Sequence, residues 1–298
     1  MKTTLTLLAL MLGCSGCAVA PMVLSGAASK MDWNDVQNVV TKVQKAADGQ
    51  RDLTEPEEIA IGAGIASNLL GAAPLLQDKK VQRYVTDVGM WLTLQTERAD
   101  LPWHFAVLDD NEFNAFAAPG GYIFITRGLL LSMRNEAELA GVLAHEISHV
   151  LRKHHLAALK KANGTSVLAD LGAAVLEKNP QLTQNGQLTP ALAKIAGFGT
   201  ELYMRGLDKD DEFEADRMAV VICARAGYDP YGLPAVLQSL QTVNPSYSGL
   251  ALMVKTHPSF SARLDLLAQV MDAQFDKFET QPNLAARFKA NVALPKVK

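Results

Sequence analysis

The 298-residue sequence lacks features that would point to several common classes of protein. Beyond residue 20 it has no stretch of eighteen or more consecutive apolar residues, the length typical of a membrane-spanning helix. Its net charge is −3 and it has no basic run, so nucleic acid is not expected as a partner. It also shows no internal repeat. With 49% hydrophobic residues, the chain can still bury a substantial core, most simply as one domain.

Cysteine is scarce, with three residues in the whole chain. Two of them, Cys14 and Cys17, lie near the N-terminus, so Cys223 has no partner for a disulfide in the rest of the chain. Cys223 lies in an apolar run, and we expect it to be a core residue rather than a redox switch.

The N-terminal residues have the pattern of a bacterial lipoprotein signal. Lys2 precedes an apolar stretch, Leu5–Leu12, which is followed by the segment Gly13–Cys17. A cysteine after a small residue is a site for lipid attachment. Cys14 has the more typical residues before it, whereas Cys17 leaves a signal of more ordinary length, and we favour Cys17. The alternative is a cleaved secretory signal with two incidental cysteines.

The most informative motif is H-E-x-x-H, at His145–His149. Side chains at positions i and i+4 of a helix lie on one face, so His145 and His149 can reach one tetrahedral metal ion. Glu146 can then reach a metal-bound water without itself binding the metal. The motif therefore predicts a zinc site with Glu146 as the base.

The flanking residues predict that this motif lies in a largely buried helix. Asn135 followed by Glu138 is typical of a helix N-cap, and an apolar stripe at helical spacing runs through the motif. We expect this helix to continue to a C-cap at Asn163–Gly164. An unpaired buried imidazole is costly, which favours a metal site over a solvated helix surface.

A third ligand is required, and His155 is the first candidate. In a metzincin the residue at that spacing binds the metal, but a metzincin has glycine where this chain has Arg152. On a continuous helix His155 would be about 15 Å along the axis from His145. We therefore expect His154 and His155 to be partly exposed helix residues.

The second candidate is an acidic residue from a later helix. Glu212 and Asp216 are one turn apart, so Glu212 can bind the metal while Asp216 accepts the free ring N–H of a ligating histidine. The same acidic residues also suit the first turn of any helix, and Glu214 remains a rival to Glu212 at this point.

Several segments together resemble the gluzincin family of zinc metallopeptidases that contains the HtpX heat-shock proteases and the CAAX prenyl proteases, specifically its lipoprotein branch with BepA and LoiP. The resemblance covers about Glu57 to Leu267 and rests on these segments, in the order of the family: Asn114–Gly121, Gly128–Leu130, Asn135–Ala140, His145–His149 and Glu212–Arg217. It is a likeness to the catalytic domain alone.

The resemblance implies an α+β fold that is mainly α-helical, with a small β-sheet beside the active-site helix. It also implies one Zn²⁺ per chain, with Glu212 as the third ligand and Asp216 as the carboxylate behind a ligating histidine. We accordingly expect a lipoprotein signal peptide at residues 1–16, a lipid-anchored linker at 17–31 and a zinc metallopeptidase domain at 32–298.

His257, in the segment Thr256–Pro258, is a candidate catalytic residue. Related proteins carry a histidine in such a His-Pro segment near the metal. The resemblance therefore implies that His257 stabilises the oxyanion or occupies the open zinc position and holds the enzyme inactive. The alternative is a solvent-facing loop histidine. Tyr203 and Arg205 are weaker candidates for the oxyanion role, and Arg263 in the following helix is equally consistent with a surface charge.

The segments 103–108 and 122–126 are predicted strands, and Pro119–Gly121 is a predicted turn before the second of them. We expect an edge strand before that turn that binds an extended substrate by backbone hydrogen bonds. The residues of this candidate substrate strand are Asn114, Ala115, Phe116, Ala117 and Ala118. The alternative is that their small side chains only let the hairpin pack against the metal helix.

These features together predict a zinc endopeptidase that hydrolyses unfolded or misassembled cell-envelope proteins. The predicted partners are those substrates and the membrane, through the lipid anchor, with no nucleic acid. Neither Cys14 nor Cys17 is followed two positions later by Asp, so the periplasmic face of a Gram-negative outer membrane is expected. A chaperone or assembly factor for outer-membrane proteins, binding chains without hydrolysis, is the alternative, but it has no need of a base at Glu146.

Overall fold

The computed structural model describes residues 53–161, 183–184, 187–188, 206–243 and 250–293, apart from residues 272 and 274. The predicted signal peptide, the predicted linker and residues 32–52 lie outside the described residues. Helices predominate in the described part, as the family resemblance implied. None of them is both long and apolar enough to cross a membrane.

The helices are numbered here in chain order. They are α1 (Glu55–Ala72), α2 (Lys79–Thr93), α3 (Arg127–Ser132), α4 (Glu136–Leu151), α5 (Lys209–Ala226), α6 (Gly232–Gln241), α7 (Ala251–Thr256), α8 (Phe260–Val270) and α9 (Ala285–Asn291). Residues 154–161 are also helical, and Asp276–Phe278 form a 3₁₀ turn.

A three-stranded sheet lies between α2 and α3 in the sequence. Its strands are β1 (His104–Leu108), β2 (Ala115–Ala118) and β3 (Tyr122–Thr126), in the order β1-β3-β2. β3 is parallel to β1 and antiparallel to β2, so β2 lies at the edge of the sheet that the described strands form, as predicted. A further short hairpin pairs β4 (Thr183–Gln184) with β5 (Gln187–Leu188).

The turn between β2 and β3 needs glycine. Gly120 and Gly121 have φ angles of 74° and 98°, in the region that side chains disfavour. A Cβ on Gly120 would also lie 2.5 Å from the Cα of Ile59 in α1. The turn therefore fixes the hairpin against α1.

Helix α4 is the centre of the fold, and all sixteen of its residues are buried. The side chain of Asn135 caps it by accepting the N–H of Glu138, as predicted. The Glu138 carboxylate, however, accepts the backbone N–H of Arg134 rather than that of Asn135. The helix packs against α2, α5, α6 and the sheet, so the prediction of a small sheet beside the active-site helix is confirmed.

The first residue of α4 is a fully buried carboxylate. Glu136 accepts hydrogen bonds from the hydroxyls of Tyr84 and Tyr228, each at 2.7 Å, and its two oxygens pair with the guanidinium of Arg287. Three groups from three other regions of the chain therefore meet this carboxylate at the start of α4. The Arg287 hydrogen bonds and the two hydroxyls lower the pKa of Glu136 despite its burial.

The prediction that α4 continues to Asn163–Gly164 is wrong. The helix ends at Leu151, and Lys153 adopts a φ of 57°, which turns the chain before residues 154–161 become helical again. No glycine or proline marks the break. Tertiary ion pairs hold it, because the Lys153 ammonium lies 3.3 Å from Glu58 and the Arg152 guanidinium donates to Glu214.

The packing of α4 against α6 is close enough to make a sharp stability prediction. A Cβ on Gly141 would lie 2.7 Å from the backbone nitrogen of Leu233. Overpacking typically costs about 1–3 kcal/mol, and the roughly 1 kcal/mol that alanine gains over glycine in a helix offsets part of this cost. Gly141→Ala should therefore lower the free energy of unfolding by up to about 2 kcal/mol.

Gly71 in α1 is the matched control, since a Cβ there meets nothing within 4 Å. Gly71→Ala should leave the free energy of unfolding unchanged or raise it slightly. Urea denaturation of the two variants measures the difference. Equal stabilities for Gly141→Ala and Gly71→Ala would contradict the close approach of α4 and α6.

Candidate active site

Three buried side chains from two packed helices meet at one point. The Nε2 atoms of His145 and His149 on α4 lie 3.1 Å apart. The two carboxylate oxygens of Glu212 on α5 lie 3.6 Å from them, Oε2 from His145 and Oε1 from His149. Atoms that bind one zinc ion tetrahedrally at about 2.0–2.1 Å are separated by roughly 3.3 Å. The three side chains therefore have the separation that a shared zinc ion requires.

The surroundings of these residues also fit a divalent cation. Within the described part of the chain, the buried Oε2 atom of Glu212 accepts no hydrogen bond. The carboxylates of Glu146, Glu212 and Asp216 are all buried, and one buried guanidinium, that of Arg263, faces them. Among the described residues, the buried carboxylates of the site thus outnumber its guanidinium groups. A buried cluster of this kind favours a bound cation.

Asp216 lies one turn after Glu212 on α5 and supports His145 from behind. Its Oδ1 atom is 2.9 Å from the Nδ1 atom of His145, so the other ring nitrogen of His145 is left to face Glu212. Such a carboxylate fixes the tautomer and the orientation of a metal-binding imidazole. The structure thus brings Asp216 to the position that the predicted role requires.

Arg263 on α8 is a site residue that the sequence did not identify. Its Nε and Nη2 atoms donate to the two oxygens of Asp216 at 2.8 and 2.6 Å, and the side chain is buried. Its position in the helix after the His-Pro segment was the only available signal. A single arginine in a helix cannot be told from a surface charge by spacing alone.

The charges of the site stabilise ionised carboxylates despite burial. Burial alone would raise the pKa of Glu212, but His257, His145 and Arg263 outweigh it and hold this pKa at about 2. Asp216 is likewise lowered well below its usual range, chiefly by Arg263. Burial and Arg263 would lower the pKa of His145, but Asp216 and Glu212 raise it. Burial, followed by the neighbouring His145, lowers the pKa of His149 and keeps that imidazole neutral, as a metal ligand must be.

Glu146 differs from the other carboxylates. Burial raises its pKa to about 7, with Glu212 adding to the rise and His145 opposing it. A carboxylate with a pKa near the working pH is suited to accept and return a proton. The side chain lines a cavity of about 30 Å³, together with His149 and Glu212, which is enough room for a water molecule.

His257 lies beside the ligands rather than in solvent. Its Nε2 atom is 3.6 Å from Oε2 of Glu212, and its side chain is 13% exposed. Its Nδ1 atom lies 2.9 Å from the hydroxyl of Thr256, at the end of α7. One atom each from His145, Glu212 and His257 lie within 4.8 Å of one another, a grouping that can hold a metal. The solvent-facing alternative is therefore wrong.

The prediction that His154 and His155 are partly exposed is wrong. Both are buried, because the turn at Lys153 folds the chain back towards the metal helix. The His155 ring lies 5.5 Å from that of His149 and 5.3 Å from that of Phe116. His155 is therefore close to the site instead of about 15 Å along a continuous helix. Burial lowers its pKa to about 3, so the imidazole is neutral.

Glu214, the rival to Glu212, points away from the metal position. Its carboxylate accepts from Nε of Arg152 at 2.6 Å and lies 3.3 Å from Nε2 of His154. The side chain is 32% exposed, whereas that of Glu212 is 2% exposed. The geometry therefore favours Glu212 over Glu214 as the third ligand.

The candidate substrate strand reaches the site at one end. Asn114, Ala115 and Phe116 line the cavity beside Glu146 and His149. Ala117 and Ala118 continue the same edge strand and are fully buried, without lining the cavity. Cys14, Cys17, Tyr203 and Arg205 lie outside the described residues.

The comparison with protein families agrees with this geometry. The model of peptidase family M48 matches residues 76–271, about two thirds of the chain, and the chain belongs to this family of metallopeptidases. The matched region contains all of the residues that surround the candidate metal position. The predicted class, a metalloprotease of the gluzincin type, is thereby confirmed.

Curated relatives come from bacteria and from mitochondria. The "Beta-barrel assembly-enhancing protease" of Escherichia coli K12 is 31% identical over 211 residues, covering 70% of this chain and 42% of that protein. The protein of the same name from Yersinia pestis is 32% identical over 71% of this chain and 43% of its own length. The "Mitochondrial metalloendopeptidase OMA1" of Schizosaccharomyces pombe is 26% identical, covering 66% of this chain and 55% of its own. The chain thus spans less than half the length of these bacterial relatives.

The first site prediction separates the acidic residues of α5 by zinc affinity. Glu212→Gln should reduce the affinity strongly, because it removes a carboxylate from the ligand set. Asp216→Asn should reduce affinity or activity about 10- to 100-fold, as the loss of a hydrogen bond behind a ligand does. Glu214→Gln should have little effect, since its amide oxygen can still accept from His154. Competition with a chelator measures all three, and equal losses at 212 and 214 would contradict the ligand assignment.

The second site prediction concerns His257. If its imidazole stabilises the oxyanion, His257→Ala should lower kcat about 10²- to 10³-fold while zinc is retained. If it instead occupies the open zinc position in a resting state, the same substitution should raise basal proteolysis. The two roles predict opposite changes in proteolytic activity, so one activity assay of His257→Ala distinguishes them. Unchanged activity would remove His257 from the site.

Proposed function

We propose that this protein is a zinc-dependent endopeptidase that cleaves unfolded or misassembled proteins of the cell envelope. The observation that carries the proposal is the buried base, Glu146, beside a cavity shared with His149 and Glu212. A protein that only bound metal or only bound chains would have no use for a carboxylate of raised pKa there.

The proposed metal is zinc, held by His145, His149 and Glu212. Zinc, when bound there, polarises the scissile carbonyl and lowers the pKa of a water molecule. Glu146 accepts the proton of the attacking water at its carboxylate and returns it to the leaving amine. Asp216 and Arg263 keep His145 in the tautomer that presents Nε2 to the metal.

The substrate is proposed to bind as an extended chain. β2 is the edge of its sheet and pairs only with β3 among the described strands. Asn114 and the first two residues of β2 line the cavity, so an extended peptide lying along this strand would pass beside Glu146. Backbone hydrogen bonding does not depend on the side chains of the substrate, which suits substrates that are recognised because they are unfolded.

The setting is proposed from the N-terminal sequence and from the names of the relatives. A lipid on Cys17, or on Cys14, would tether the domain to a membrane, and we place it on the periplasmic side of a Gram-negative outer membrane. Two of the relatives are named for enhancing β-barrel assembly. We propose that this chain likewise acts on outer-membrane proteins during assembly. A purely chaperone-like role is the alternative.

The purified protein should contain one zinc per chain and cleave an unfolded protein such as casein. Glu146→Gln should keep the metal and lose cleavage, because it removes the base and leaves the three ligands in place. Metal analysis and a casein assay measure the two properties separately. Less than about a tenth of an equivalent of zinc after reconstitution would contradict the site, given the affinity of three-ligand zinc sites.

The Glu146→Gln variant also separates the two functions. A protease should lose cleavage in this variant but still bind unfolded chains. A binding-only assembly factor should show no cleavage in either form and equal binding in both. Normal cleavage by Glu146→Gln would mean that another group is the base.

A further inference from the structure

His149, the second histidine of the motif on α4, has a contact that the family motif does not describe. The Nδ1 atom of His149 lies 2.9 Å from the Nδ1 atom of His154, and both rings are buried. The ring centroids are 5.1 Å apart and nearly perpendicular. This contact exists because Lys153, with its φ of 57°, reverses the chain four residues after His149.

The hydrogen-bond roles follow from the metal site. If His149 presents Nε2 to zinc, its proton is on Nδ1, and Nδ1 of His154 must then be the acceptor. A neutral His154 that accepts at Nδ1 carries its own proton on Nε2. That Nε2 atom lies 3.3 Å from a carboxylate oxygen of Glu214 and can donate to it. The carboxylate of Asp211 also lies near this atom, at 3.7 Å. Each ring nitrogen in this chain of contacts therefore has a partner of the correct kind.

Glu214 is itself held in place. The guanidinium of Arg152 donates to its Oε1 atom, and Oε2 is left for His154. Arg152 lies at the end of α4 and Glu214 lies on α5, so the pair joins the two helices that carry the ligands. Arg152 and His154 both lower the pKa of Glu214 and keep it ionised despite partial burial.

The contact behind His149 parallels the one behind His145. Behind His145 lies a carboxylate of α5, Asp216, paired with an arginine, Arg263. Behind His149 the carboxylate is that of Glu214, two positions before Asp216 on α5. It does not contact His149 directly, because the imidazole of His154 lies between them. The carboxylate is again paired with an arginine. Each ligating imidazole is thus connected, directly or through His154, to a carboxylate of α5 that is paired with an arginine.

We propose that His154 is a positioning residue for the zinc site, and that it fixes the ring of His149 with Glu214 and Arg152 as its outer support. The proposal rests on the zinc site of the proposed function. It gives Glu214 an indirect role through His154 in place of the direct one considered from the sequence. Without the acceptor at 154, the buried Nδ1–H of His149 has no partner and the ring is free to rotate or change tautomer.

The test compares a substitution of His154 that removes the hydrogen-bond acceptor for His149 with one that retains an acceptor. His154→Leu fills the buried space with an apolar side chain of similar size but removes both ring nitrogens. His154→Asn places an amide oxygen near the position of Nδ1 and so keeps an acceptor for His149. Zinc affinity of the metal-free proteins is measured by competition with a chelator, together with the rate of zinc release. Thermal unfolding of the metal-free proteins reports any loss of the fold.

His154→Leu should lower zinc affinity about 10- to 100-fold, mostly through faster release, as the loss of a contact behind a ligand does. His154→Asn should retain an affinity close to that of the unmodified protein. An affinity unchanged in His154→Leu would overturn the proposal. Equal losses in the two variants would also overturn it, since both would then reflect packing and not the hydrogen bond.

A second pair of variants keeps the test decisive if His154→Leu fails to fold. Glu214 is partly exposed, so Glu214→Ala should fold, and it removes the nearer carboxylate beside Nε2 of His154, leaving that of Asp211 at 3.7 Å. Glu214→Ala should weaken zinc binding, but by less than His154→Leu does. Glu214→Gln should leave zinc binding unchanged. Combined with His154→Asn, whose amide lies out of reach of Glu214, the alanine substitution should cost nothing further. A full additional loss in that double variant, or no effect of Glu214→Ala alone, would contradict the proposal.

The outcomes also separate this proposal from the proposed function. Absence of zinc from the unmodified protein would overturn both. Zinc binding that His154→Leu retains would overturn the positioning role alone and leave the endopeptidase proposal intact.

Discussion

The buried ion pair between Asp216 and Arg263 is the interaction on which the rest of the site depends. It joins α5 to α8, and the same carboxylate holds His145 on α4, so one residue fixes three helices relative to one another. Removing one member of a buried pair typically costs about 3–5 kcal/mol, because the other charge is left without compensation. Glu212 is one turn from Asp216 on the same helix, so the position of the third ligand is set by the same contact.

The core places this pair correctly because α4 cannot shift. All of its residues are buried, and Gly141 lets α6 approach its backbone directly. α4 also packs against the sheet, whose strand β2 reaches the cavity. Small movements of α4 would therefore require the rearrangement of two packed surfaces at once. This rigidity suits a site in which a displacement of 1 Å in a ligand is costly.

The parts of the fold that follow a regular pattern could be predicted from the sequence. The apolar period and the Asn135 cap indicated α4, alternation indicated β1, and a β-rich run after the Pro119–Gly121 turn indicated β3. The one-turn spacing of Glu212 and Asp216 was enough to place both on one helix face. Two features escaped prediction because they depend on tertiary contacts. Lys153 adopts a left-handed conformation that its residue type disfavours, and the direction of Arg263 depends on how α8 packs.

The cluster around Glu136 shows that the folding unit extends beyond the family match. The family match stops at residue 271, but Arg287, in α9, reaches back to the carboxylate at the start of the metal helix. A chain cut at the family boundary would leave that carboxylate buried beside two tyrosine hydroxyls with no positive charge. The last helix is thus part of the peptidase domain in physical terms, although the family pattern does not include it.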